Sequence, residues 1–130
     1  MPARRTDRIP DPAPAADPAA VLSKAVLRAA DLLDLSQASL ARVLGLSAAS
    51  VTRLRQGKLQ LDPDSKAGEL GLLLVRLFRS LDSIVGNAEA ARDWLRAPNL
   101  GLNGAPRELI VTPQGLVHVV DYLDAHRARG

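Results

Sequence analysis

The chain has 130 residues, enough for one domain or two very small ones, and its apolar fraction of 47% can support a core. It has no cysteine, which excludes disulfides, thiolate metal sites and cysteine nucleophiles, and it has no apolar stretch of about 18 residues that would read as a membrane span. The net charge of +3 is unevenly spread: residues 21–60 carry Lys24, Arg28, Arg42, Arg53, Arg55 and Lys58 against only Asp31 and Asp34. A local positive excess of that kind suits a polyanionic partner.

Aromatics are limited to Phe78, Trp94 and Tyr122, and the apolar residues are mainly Leu, Ala and Val. Leu and Ala lose little side-chain freedom in a helix, so an all-α fold is expected. Residues 1–18 hold five of the nine prolines, interleaved with Ala and Asp, and Arg4, Arg5 and Arg8 are followed by no apolar run. This composition builds no core and no secretory signal, and it is expected to form a disordered arm.

A first helix is expected over residues 19–33, with Asp17 as its cap and Pro18 at its start. Leu22, Val26, Ala29, Ala30 and Leu33 recur at spacings of three and four and give it an apolar face. A second helix should open after Ser36 and close before Gly45, and a third should open after Ser47 and close before Gly57. Residues 62–64 (Asp-Pro-Asp) break the chain. Ser65 then caps a long helix over residues 66–85, stopped by Gly86. Its stripe of Leu70, Leu73, Leu74, Leu77, Phe78, Leu81, Ile84 and Val85 is supplemented by Leu72 and Val75. A helix apolar on more than one side is either buried or shared with a partner chain.

A fifth helix is expected over residues 88–97, between Asn87 and Pro98, with Trp94 as a core anchor. Pro98, Gly101, Gly104 and Pro106 make a turn-rich connection, followed by a short apolar piece at residues 108–111. Thr112 and Pro113 open a last helix to about residue 127, with Leu116, Val119, Val120 and Leu123 facing inward.

The segment L-S-Q-A-S-L-A-R-V-L-G-L-S-A-A-S-V-T-R-L-R-Q-G-K, residues 35–58, holds the chemistry. Two serine-capped helices flank Gly45, which suits a left-handed turn; Ala41 permits a close crossing; and Leu40, Leu44, Leu46, Val51 and Leu54 fill the space between. This is the helix-turn-helix plan, in which the second helix enters the major groove of DNA. The piece resembles the Xre type of helix-turn-helix found in phage-repressor-like regulators. That resemblance implies that Ala48, Ala49 and Arg53 face base edges, that Gln37 and Ser47 meet phosphate at helix starts, and that Ser50, Thr52, Arg55, Gln56 and Lys58 touch the DNA backbone. Arg53 can grip a guanine with two hydrogen bonds, worth about 1–3 kcal/mol of discrimination, while Ala48 and Ala49 can meet only a thymine methyl.

The second half carries, in order, S-K-A-G-E-L, L-L-V-R-L-F-R-S-L-D, A-R-D-W-L-R-A-P-N, L-N-G-A-P-R-E-L-I and T-P-Q-G-L-V-H-V-V-D-Y-L. Together with the helix-turn-helix, residues 20–128 resemble the MbcA/ParS/Xre antitoxin family. The resemblance implies an N-terminal helix-turn-helix domain (residues 19–61) and a small helical dimerisation and toxin-binding domain (residues 65–130). It implies neutralisation of a RES-domain toxin that degrades NAD, and repression of the chain's own operon through double-stranded operator DNA in the cytoplasm. By the same analogy Tyr122, Asp124, His126, Arg127 and Arg129 would contact the toxin, with the tail reaching its NAD pocket. A stand-alone dimeric repressor without a toxin partner remains the alternative. His118 and His126 lie eight residues apart, too far for a shared metal, and no G-x-G-x-x-G, P-loop or H-E-x-x-H pattern occurs, so no enzyme, metal or cofactor is expected.

Overall fold

The computed structural model describes residues 17–129. The expected N-terminal arm lies outside the described residues except for its last two positions, Asp17 and Pro18, which start the first helix. Seven helices follow: α1 (Pro18–Leu32), α2 (Gln37–Leu44), α3 (Ala48–Arg55), α4 (Lys66–Val85), α5 (Ala88–Arg96), α6 (Pro106–Leu109) and α7 (Pro113–Arg129). The fold is all-α, as expected, and no strand is present among the described residues.

The helix starts follow from side chains that satisfy backbone donors left open in a first turn. Asp17, Ser36, Ser47, Ser65 and Asn87 accept from Ala19, Ser39, Ser50, Gly68 and Ala90 N–H respectively. Thr112 Oγ1 accepts from Gly115 N–H at 3.1 Å and opens α7. Some bounds differ from expectation. Pro18 starts α1, which ends at Leu32; α5 ends at Arg96; the apolar piece expected at residues 108–111 overlaps the end of the proline-started α6; and α7 runs two residues further, to Arg129.

The centre of the molecule is α4. It packs most extensively on α7, then on α1, and also on α2 and α5. Leu74, Leu77 and Leu81 are fully buried, and Val75, off the main stripe, is buried too. The several apolar sides of α4 are therefore explained within one chain, by the different helices packed around it. Leu72 and Ile84 are the exceptions, at 60% and 44% exposed. The core is continuous from Leu22 and Val26 on α1, through α4, to Leu116 and Leu123 on α7. Each fully buried leucine contributes about 1.5–3 kcal/mol, so α4 holds both halves of the molecule together.

Two polar contacts fix this packing. Ser23 Oγ on α1 accepts from Leu61 N–H at 2.8 Å and donates to Ala19 C=O, tying the connection after α3 back onto α1. Asp124 on α7 accepts from the buried hydroxyl of Ser80 at 2.8 Å and pairs with Arg76, both on α4. Trp94, expected as a core anchor, is half-buried; it packs against the core and stacks on Tyr122 with ring centroids 6.3 Å apart.

Candidate nucleic-acid interface

The turn between α2 and α3 is built as its residues dictate. Gly45 closes α2 with φ +69°, a conformation costly for any side chain with a Cβ, and its N–H reaches back to Arg42 C=O. Leu40, Ala41, Val43 and Leu44 of α2 and Val51 and Leu54 of α3 are buried between the helices and α4. Burying Val51 and Leu54 turns the opposite side of α3 outward. Ala48, Ala49, Thr52, Arg53 and Gln56 are exposed, and their spacing of one, four, five and eight residues from the first places them on one helix face.

Within that face the side chains differ in freedom. The Arg53 side chain makes no hydrogen bond or ion pair with any other described residue, so its guanidinium is available to an outside acceptor. Thr52 Oγ1 donates to Ala48 C=O at 3.1 Å. The Ser47 hydroxyl accepts from Ser50 N–H at 3.1 Å and donates to Ser50 Oγ at 3.0 Å, so both serines stabilise the helix start, leaving it rigid beside the exposed alanines. Lys58 is exposed just past α3, with its backbone N–H on Arg53 C=O.

Two residues expected at the DNA backbone have another partner. Arg55 Nε donates to Gln37 Oε1 at 2.6 Å, and its NH2 group pairs with Asp31 at 2.9 Å. One guanidinium thus joins α1, α2 and α3 and fixes the angle at which α3 leaves the body. The Arg55 side chain is 30% exposed. This clamp was not legible from spacing, because its members lie 18 and 24 residues apart. Arg42 contributes to the positive excess of residues 21–60. It stands exposed on the outer side of α2, the helix that crosses the DNA backbone in this plan, and makes no ion pair among the described residues. It also borders a cleft of about 450 Å³ between α2 and α5–α6, lined as well by Asp34, Arg96, Arg107 and Glu108.

At the other end, Tyr122 is half-buried between Trp94 and His126; the His126 ring centroid lies 4.2 Å from that of Tyr122. Asp124 is committed to Ser80 and Arg76, with Arg127 at 3.7 Å. His126, Arg127 and Arg129 are exposed on the final turn. His118 is exposed, and no group of three or more His, Cys, Asp or Glu able to hold a metal ion occurs among the described residues. No helix among them is long and apolar enough to cross a membrane.

A buried-backed pair of short helices, a left-handed glycine turn and an outward face with an arginine side chain unpaired among the described residues define a helix-turn-helix DNA-binding protein. Comparison with known families agrees. Residues 12–76 match the antitoxin Xre-like helix-turn-helix domain, and residues 80–129 match the antitoxin Xre/MbcA/ParS C-terminal toxin-binding domain. The chain belongs to this antitoxin family: a DNA-binding, toxin-binding regulator of a toxin–antitoxin system. The two matches meet inside α4 and not at the break of residues 62–64, in keeping with the continuous core. No curated protein matches the chain.

Proposed function

We propose that this antitoxin neutralises a RES-domain toxin that degrades NAD, and that with DNA-bound α3 it represses the operon encoding both. The observation that carries the DNA half is the exposed guanidinium of Arg53, unpaired among the described residues, on the outward face of α3, which the Arg55 clamp holds at a set angle. In this reading Arg53, with Ala48 and Ala49 beside it, meets base edges. Gln37, Ser47, Ser50, Thr52, Gln56 and Lys58, with Arg42, lie along the phosphates, and Arg55 acts mainly by orienting α3. The DNA-reading part spans residues 19–61 and the toxin-binding part residues 65–130, with the first half of α4 bracing both.

The toxin half rests on the family match at residues 80–129 and on the exposed terminal turn. His126, Arg127 and Arg129 are the direct contacts, Tyr122 supports His126 from below, and Asp124 holds the turn against α4. The positive groups of this turn suit an anionic cofactor pocket. The protein works as a binder and catalyses nothing, in the cytoplasm, as a homodimer that matches two operator half-sites.

Co-expression with the product of the adjacent gene tests the proposal. A stable complex and rescued growth are expected, together with restored cellular NAD. A neighbour that forms no complex, or a toxin whose action leaves NAD untouched, contradicts it. Repression that persists without any toxin partner would instead mark a stand-alone regulator.

A further inference from the structure

The connection between α5 and α6 holds the most exposed large apolar residue among those described. Leu100 is fully exposed, at 103% of its reference area, whereas Leu102, two residues on, is 3% exposed and buried in the core. A single exposed leucine on a floppy loop carries no meaning. This loop is tightly built. Asn99 and Gly104 exchange both backbone hydrogen bonds, at 3.0 and 3.2 Å. Asn99 Oδ1 also accepts from Leu102 N–H at 3.1 Å, and Asn103 N–H reaches Leu100 C=O. Gly101 lies so close to Tyr122 that an added Cβ would sit 2.8 Å from its ring. The turn is thus pinned at its base by a bridge, inside by Leu102, and at its side by Tyr122.

We infer that Leu100 is a preformed apolar knob that inserts into a socket on the toxin, beside the terminal turn of α7. Three observations choose this occupant. The knob lies within residues 80–129, the segment matched to toxin binding. It is continuous with the proposed contact through Gly101, Tyr122 and His126. And it is already rigid, so docking costs little ordering of the loop, which is the condition under which one apolar side chain can dominate an interface. Tyr122, half-buried and stacked on Trp94, stands against Gly101 next to the knob and adds apolar surface on that side.

The inference rests on the toxin-binding reading above, and the test separates the two. Full-length protein and its Leu100→Asp, Leu100→Ala and Leu100→Met variants are titrated against the purified toxin and against operator DNA, and their melting temperatures are recorded. Leu100→Asp is expected to weaken toxin binding by about 30-fold or more, Leu100→Ala by less, and Leu100→Met by only a few-fold. Operator affinity and melting temperature are expected to stay unchanged, because the side chain touches nothing in the free protein. If the unaltered protein binds no toxin, the functional reading fails. If it binds and Leu100→Asp binds equally well, the knob is overturned. The knob is equally overturned if Leu100→Asp instead splits a homodimer while toxin affinity holds.

Discussion

Arg53 and Arg55 are two residues apart on α3, carry the same charge, and should fail in opposite ways when truncated. The exposed Arg53 side chain makes no hydrogen bond or ion pair among the described residues, so Arg53→Ala is expected to change stability by less than about 0.5 kcal/mol, as surface substitutions do. Its loss removes a bidentate base contact worth about 1–3 kcal/mol, a fall in operator affinity of about 5- to 150-fold, and relaxes preference at one base pair. Arg55→Ala deletes the bonds to Gln37 at 2.6 Å and Asp31 at 2.9 Å. With Asp31 64% and Arg55 30% exposed, the pair belongs near the surface range, about 1 kcal/mol in all, or about 4 °C in melting temperature for a chain of this size. Arg55→Lys should recover little of this, because an ammonium lacks the planar fork that serves two acceptors at once. Thermal melts and fluorescence anisotropy on the operator, and on operators altered at each base pair, read both effects. A melting temperature unmoved by Arg55→Ala, or base preferences unmoved by Arg53→Ala, would refute the division of labour.

Other outcomes follow from the packing. Asp124→Ala strips the buried Ser80 hydroxyl of its acceptor and frees Arg76, and is expected to cost about 1–3 kcal/mol by chemical denaturation; an unchanged midpoint would show that α7 does not depend on this contact. Ending the chain after Ala125 keeps Asp124 but removes His126, Arg127 and Arg129; toxin neutralisation should be lost while operator affinity holds, and intact neutralisation would remove the terminal turn from the interface. Gly71→Val places a Cβ 2.9 Å from Val26 Cγ2 where α4 meets α1, and overpacking there should cost about 1–3 kcal/mol, visible as a lowered melting temperature. Raising salt should weaken operator binding steeply, and Arg42→Ala should reduce the logarithmic salt slope by about one, the signature of a lost phosphate contact.

Local chemistry was the legible part of this chain. The caps at Ser36, Ser47, Ser65, Asn87 and Thr112 and the stops at Gly45 and Gly86 act over three or four residues, so the sequence displays them directly, and each works as expected in the structure. The outward face of α3 was legible for the same reason, since Val51 and Leu54 had to point inward. What spacing cannot show is pairing across the fold. The second apolar side of α4 was open to burial or to a partner chain; the fold buries Val75 and leaves Leu72 exposed. The bonds that join Arg55 to Gln37 and to Asp31 span 18 and 24 positions, so spacing does not show them. Asp124 looked like an exposed tail residue, and its bond to Ser80 spans 44 positions. The turn that lifts Leu100 into solvent depends on a bridge and on a tyrosine about 20 residues downstream, so glycine and proline content revealed a loop but not its rigidity.

A titration of ¹⁵N-labelled protein with its operator duplex, followed by backbone amide shifts, tests the placement of α3 most directly. The largest changes are predicted along Ala48, Ala49, Thr52, Arg53 and Gln56 and at the start of α2, with α7 silent. Shifts that gather on α7 or around Leu100, leaving the outward face of α3 unmoved, would contradict the account.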